Sequence, residues 1–255
     1  MRKIVHIALD ERPCNYDFPA NIFEGKEFII KRVPFEYMGL KKKPGNIEKI
    51  QEFFYKECKD AYATIVSIDT LLYGGIVPSR LHYFTIDEVS ERLNILKKVK
   101  KENPSIKIYA YNLVMRCPHY DDDDEEPFYY NNYGLRIHDK KAIEHKMSCN
   151  VATKEEIEYY NSIEIPSLYE EDYANRRMIN TNITCKVVDL VNEGIIDFLI
   201  VPQDDSAPYG YTALDQIKVR QEVSKYNLES KVLTYPGADE VSNTLFARML
   251  NEYYN

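Results

Sequence analysis

Two adjacent acids, Asp204 and Asp205, follow the apolar run Phe198 to Val201 and precede a turn marked by Ser206, Pro208 and Gly210. Neighbours inside a strand point to opposite faces, so such a pair can share a pocket only where the strand has ended. Two carboxylates facing one ligand cannot both ionise freely, and their pKa values split into an acid and a base. That is the chemistry of glycoside hydrolysis. Asp205, farther into the turn, reads as the general acid, and Asp204, nearer the strand, as its orienting partner. Asp10 or Asp69 would be a further carboxylate tuning the pair. The structural alternative is that both acids cap a helix and pair with a nearby Arg.

Four other segments carry similar loads. The first apolar run ends in Asp10-Glu11-Arg12 and reaches Asn15; another ends in Asp69 and leads through Tyr73-Gly74-Gly75 to Arg80. A fourth carries Asn112 and Arg116, and the last ends in Tyr235-Pro236-Gly237-Ala238-Asp239-Glu240. In parallel α/β folds the working residues lie just beyond the carboxyl ends of strands. Glu11, Arg12, Asn15, Tyr73, Arg80, Asn112, Arg116, Gln203, Tyr209, Tyr211 and Asp239 are therefore expected to bind substrate. Tyr73, Tyr209 and Tyr211 would have to stack on sugar faces, because the chain has 22 Tyr and no Trp. Asp239 and Glu240 also fit the first turn of a helix Ala238 to Asn251, where acids complement the dipole.

Other catalytic and metal-binding motifs are absent. Five His show no metal-ligating spacing, so zinc is not expected. Asp10, Asp69, Asp204 and Asp239 could hold Mg²⁺ or Mn²⁺ through oxygen; no other cofactor is expected. No nucleophile elbow and no phosphate loop occurs. The acidic run Asp121–Glu126 lacks calcium-loop spacing and reads as a solvated loop outside the site.

The elements that must position these residues alternate. Lys3 to Leu9, Glu27 to Val33, Ala63 to Ile68, Ile106 to Leu113, Asp197 to Val201 and Lys231 to Thr234 read as strands, several apolar at consecutive positions as in buried parallel sheets. Thr85-x-x-Glu88, Thr153-x-x-Glu156 and Ser167-x-x-Glu170 read as capping boxes, the first opening a helix Val89 to Lys101. Gly194 reads as a helix stop. The pattern is that of a single α/β domain over residues 1–255, interrupted by a long acidic and Tyr-rich insertion, residues 116–134. Polar clusters at so many strand ends favour a closed, barrel-like arrangement; six strands where a barrel needs eight leave an open doubly wound sheet as the alternative.

The segments LDERPCN, SIDTLLYGGIVPSR, PQDDSAPYGYTALDQ and YPGADEV resemble the bacterial family catalogued as domain of unknown function 4127. The likeness spans the chain, and because members of that family are longer it resembles an N-terminal half or a short member. The resemblance implies no activity. Separately, the adjacent acids Asp204-Asp205 are similar to the pair in substrate-assisted hexosaminidases, where one carboxylate orients the 2-acetamido group and the other protonates the leaving oxygen.

Composition narrows the classes. The net charge is −8, and six acids form the single run Asp121–Glu126, so the remainder carries only −2. No broad cationic field exists to hold a phosphate backbone, and nucleic acid is not an expected partner. No apolar run approaches a membrane span. Five scattered Cys without a paired motif read as a reduced, cytoplasmic protein. The expected partner is a small-molecule or carbohydrate ligand, and the function an acid/base hydrolase. The alternatives are a Mg-dependent hydrolase or phosphotransferase, and a non-catalytic domain of a longer enzyme. Oligomeric state is not legible.

Overall fold

A computed structural model describes all 255 residues. Six strands, β1 (Arg2–Ile7), β2 (Phe28–Arg32), β3 (Ala63–Ser67), β4 (Lys107–Tyr111), β5 (Phe198–Gln203) and β6 (Val232–Pro236), form one sheet in the order β2-β1-β3-β4-β5-β6. Every pairing is parallel. All residues of β3 and β5 are buried, as their continuous apolar runs require of strands covered on both faces. The ends do not meet. The fold is the open doubly wound version of the parallel α/β expectation, and the barrel-like version is not formed.

The eleven helices are α1 (Pro13–Tyr16), α2 (Phe18–Phe23), α3 (Ile47–Cys58), α4 (Ile68–Tyr73), α5 (Ile86–Leu93), α6 (Ile95–Glu102), α7 (Tyr130–Ser148), α8 (Lys154–Ser162), α9 (Ser167–Asn192), α10 (Tyr211–Lys225) and α11 (Val241–Tyr254). Alternate strand residues divide between two apolar layers. One joins Val5, Ile7 and Val66 to α3, α5, α6, α9 and α10. The other joins Ile4, Ala63 and Ile65 to Ala20 of α2 and to Val241, Leu245, Phe246 and Met249 of α11. A third cluster, rich in Tyr, packs the base of the insertion around Met115, Cys117, Tyr130 and Tyr173. No helix is long and apolar enough to cross a membrane. The five cysteines are unpaired.

Two capping boxes form as read, at Thr85–Glu88 and Thr153–Glu156. The third does not, because Pro166 takes the cap position and Ser167 lies inside α9. The expected helix Val89 to Lys101 is two helices, broken at Asn94, whose backbone N–H bonds the Glu91 carbonyl three residues back instead of the one four back. Gly194 follows α9 with φ +72°, the left-handed stop its position suggested. The last helix starts at Val241, not Ala238, so no acid lies in its first turn.

Candidate functional site

β1 lies between β2 and β3: the chain steps one way from β1 to β2, then crosses back and continues outward from β3. At such a switch point the connecting segments diverge and leave a crevice beyond the carboxyl ends of the strands. The cleft there has a volume of about 770 Å³. Five strand ends send a charged side chain into it: Asp10, Glu11 and Arg12 after β1, Arg80 after β3, Arg116 after β4, Asp204 after β5 and Asp239 after β6.

One wall is a closed ionic group. The Arg12 guanidinium donates to Asp10 (2.6 and 2.8 Å) and to Asp239 (2.6 and 3.1 Å). Asn15, buried in α1, donates to both carboxylates at 2.9 and 3.2 Å. Glu11 accepts from the Lys41 amide at 3.0 Å, which ties the loop after β2 to the end of β1.

The opposite wall centres on Arg80, only 2% exposed. Its Nη2 donates to Asp204 at 2.8 Å and its Nη1 to Glu125 at 3.3 Å. Arg116 meets the same two acids, Glu125 at 2.9 Å and Asp204 at 3.7 Å. Behind them Glu126, fully buried, accepts from Arg116 at 2.7 Å and faces Arg80 at 3.5 Å. Burial pushes the Glu126 carboxyl up, against the opposing pull of Arg80 and Arg116.

The floor is the loop Gly74–Val77. Gly74 has φ +85°, and a Cβ there would lie 2.7 Å from the Gly45 nitrogen, so only glycine lets these two loops meet. Gly75, Ile76 and Val77 are buried residues of the lining, and their backbone N–H groups bond no acceptor within the protein. Consecutive unpaired amides can donate to an anion or an oxyanion. Across the mouth, Lys41 pairs with Asp124 at 2.6 Å and Lys42 with Asp123 at 3.3 Å.

Residues 4–255 match the model of a protein family of unknown function, DUF4127. The chain belongs to that family. No curated protein and no solved structure matches it.

In this DUF4127 chain the strand-end residues do not all share the cleft. Asp10, Glu11, Arg12, Arg80, Arg116, Asp204 and Asp239 line it, with Asn15 against the ionic wall. Asp204 and Asp205 do not converge. Asp205 turns away to accept from the amides of Cys117 (2.6 Å) and Ala207 (3.4 Å) and from the Thr212 hydroxyl (3.3 Å), anchoring the insertion to α10. Asp205 is not among the residues lining the cleft, and it is the inner of the two acids, not the outer. Asp69 lies outside the lining too; it accepts from the Leu113 amide at 2.9 Å and from Asn112 at 3.2 Å, and Asn112 in turn accepts from Thr184. Tyr73 is buried against His82, with ring centroids 4.7 Å apart. Gln203 is buried at the end of β5. Tyr209 packs on His145 and Tyr211 on Tyr173, away from the cleft. Of the residues lining the cleft none is aromatic, so the expected tyrosine platform is missing.

Two contributions escaped the sequence reading, Glu125 with Glu126 and the lysines 41–43, whereas Gly74-Gly75 was legible as a place of close backbone approach. The acidic run looked like a solvated loop because six like charges normally repel into water. Its last member precedes Pro127 and an aromatic cluster, the one local sign that the run turns inward. The lysines follow β2 and are framed by Gly39 and Pro44-Gly45, a strand-end loop of the kind that lines such clefts.

Proposed function

We propose that this chain is an acid/base hydrolase of a glycoside, with Asp204 and Glu125 as its working carboxylates. The observation that supports it is the sharing of Arg80 and Arg116 by those two acids inside one charged cleft. Asp204 is held by a buried guanidinium and serves as base or nucleophile. Glu125 lies on the insertion, its side chain 36% exposed, where it can exchange protons with solvent and reach a leaving oxygen. Asp10, Arg12, Asn15 and Asp239 offer the fixed polar atoms that orient hydroxyl groups. A screen of aryl glycosides with and without EDTA tests the assignment. Asp204→Asn is expected to lower turnover at least about 10²-fold with the fold intact; full turnover in that variant rules out the role.

A second reading, a Mg-dependent hydrolase or phosphotransferase, draws on the free amides of Gly75–Val77 and on the absence of aromatic lining. Asp10 and Asp239 offer oxygen ligands of the kind Mg²⁺ or Mn²⁺ takes. Aryl phosphates in the same screen separate the readings: cleavage of phosphates that EDTA abolishes selects the second. Binding of a sugar or phosphate without turnover selects a non-catalytic binding domain.

A further inference from the structure

We infer that His119, His138 and Asp139 form a Zn²⁺ site that clips the acidic insertion to helix α7. No short motif announces it, since His119 lies in the insertion and His138-Asp139 on the helix. The fold brings them together. Asp139 Oδ1 lies 3.1 Å from His119 Nε2 and 2.9 Å from His138 Nδ1, and the two imidazole centroids are 4.6 Å apart. The three donor atoms lie within 4.8 Å of one another.

Two imidazoles converging on one carboxylate oxygen suit a borderline-soft cation. Zn–N bonds of ~2.0–2.1 Å in a tetrahedron place donors roughly 3.3–3.4 Å apart, so the two Asp139–His pairs need to open by only a few tenths of an ångström. His119 is 60% exposed and gives way readily, and solvent can supply the remaining position. Mg²⁺ and Ca²⁺ prefer oxygen and are poor occupants of a two-His site. Coordination needs the lone pairs of His119 Nε2 and His138 Nδ1, so each neutral ring carries its proton on the other nitrogen when the metal is bound. Tyr159 of α8 donates to Asp139 Oδ2 at 3.3 Å and holds the carboxylate from behind. The consequence reaches the cleft, because the same insertion supplies Arg116, Asp123, Asp124 and Glu125 to its lining. This site is independent of the reaction proposed above.

Titration of the metal-free chain with Zn²⁺, followed by calorimetry, tests the inference without an activity assay. One ion per chain is expected, bound in the micromolar range or tighter and unaffected by excess Mg²⁺. His119→Ala and His138→Ala should each weaken binding about 100-fold, and Tyr159→Phe about 10-fold. Zn²⁺ should also slow proteolysis between His119 and Tyr130 in the parent chain and not in His138→Ala. The His119 ring is exposed, so the melting temperature of metal-free His119→Ala should equal that of the parent and show that it folds. Absence of binding at millimolar Zn²⁺ overturns the proposal. So does binding that survives both His substitutions, or that disappears in Asp204→Asn and persists in His119→Ala, which would place the ion in the cleft.

Discussion

Asp69 carries a cost of its position that a titration can read. Burial pushes its carboxyl up to about 6, despite bonds from the Leu113 amide and Asn112. Below the ordinary carboxylate pKa the folded and unfolded chains both hold the proton. Between about 4 and 6 only the folded chain does, so stability falls as pH rises through that window and levels off above it. The drop from this group is roughly 3 kcal/mol. Asp69→Asn removes it; the stability difference, parent minus variant, should therefore shrink between pH 4 and 7, as followed by denaturant unfolding. A constant difference would mean that Asp69 titrates normally. Asp205 illustrates the opposite case. Its carboxylate binds two backbone amides and a hydroxyl, so Asp205→Asn should lower stability by about 1–3 kcal/mol, measured as a shifted unfolding midpoint. Residue types at strand ends were legible from the chain. Which way each side chain turns was not, because that depends on partners such as Cys117 and Arg80, far away in sequence.

At the scale of elements the strands were the clearest text. Each of the six lies where an apolar, β-branched run placed it, with ends shifted by one or two residues, and the fully buried β3 and β5 show why: burial on both faces writes itself directly into composition. Capping chemistry was readable where Thr led it and failed where Pro166 displaced Ser167. The insertion was recognisable by length, but its direction was not. Whether six acids face water or an arginine pair is decided by Arg80 and Arg116, and one acid, Glu126, ends fully buried between them. Replacing Glu126 by Ala leaves both guanidiniums short of a buried partner. The expected loss lies toward the lower end of ~3–5 kcal/mol, because Asp204 and Glu125 still face Arg80. Denaturant unfolding measures it, and a loss below about 1 kcal/mol would show that the buried carboxyl is dispensable.

The whole molecule explains why the cleft stands where it does and which part of the fold most endangers it. Only one strand connection crosses the face that holds α1 and α2, and every later crossover lies on the other, where α3, α5, α6, α9 and α10 pack. The lean face is completed by α11, which returns across β3 and β4 after the last strand. This asymmetry was not legible locally, because strand order is set by the sum of crossovers and leaves no mark in any single run. Phe246 of α11 is the keystone of that layer: fully buried, stacked on Phe23 at 5.1 Å and set edge-on to His6 at 5.4 Å. His6 itself is held neutral by burial, its pKa lowered to about 3. Phe246→Ala should therefore cost ~3–5 kcal/mol, the range for emptying a buried aromatic site. The effect should also reach the cleft, since Asp239 stands two residues before α11 and its bonds to Arg12 and Asn15 close the ionic wall. Hydrogen exchange at residues 237–241 is expected to accelerate in Phe246→Ala well beyond that at β3. Unchanged exchange there, alongside a lowered melting temperature, would show that the wall holds itself together without the helix behind it.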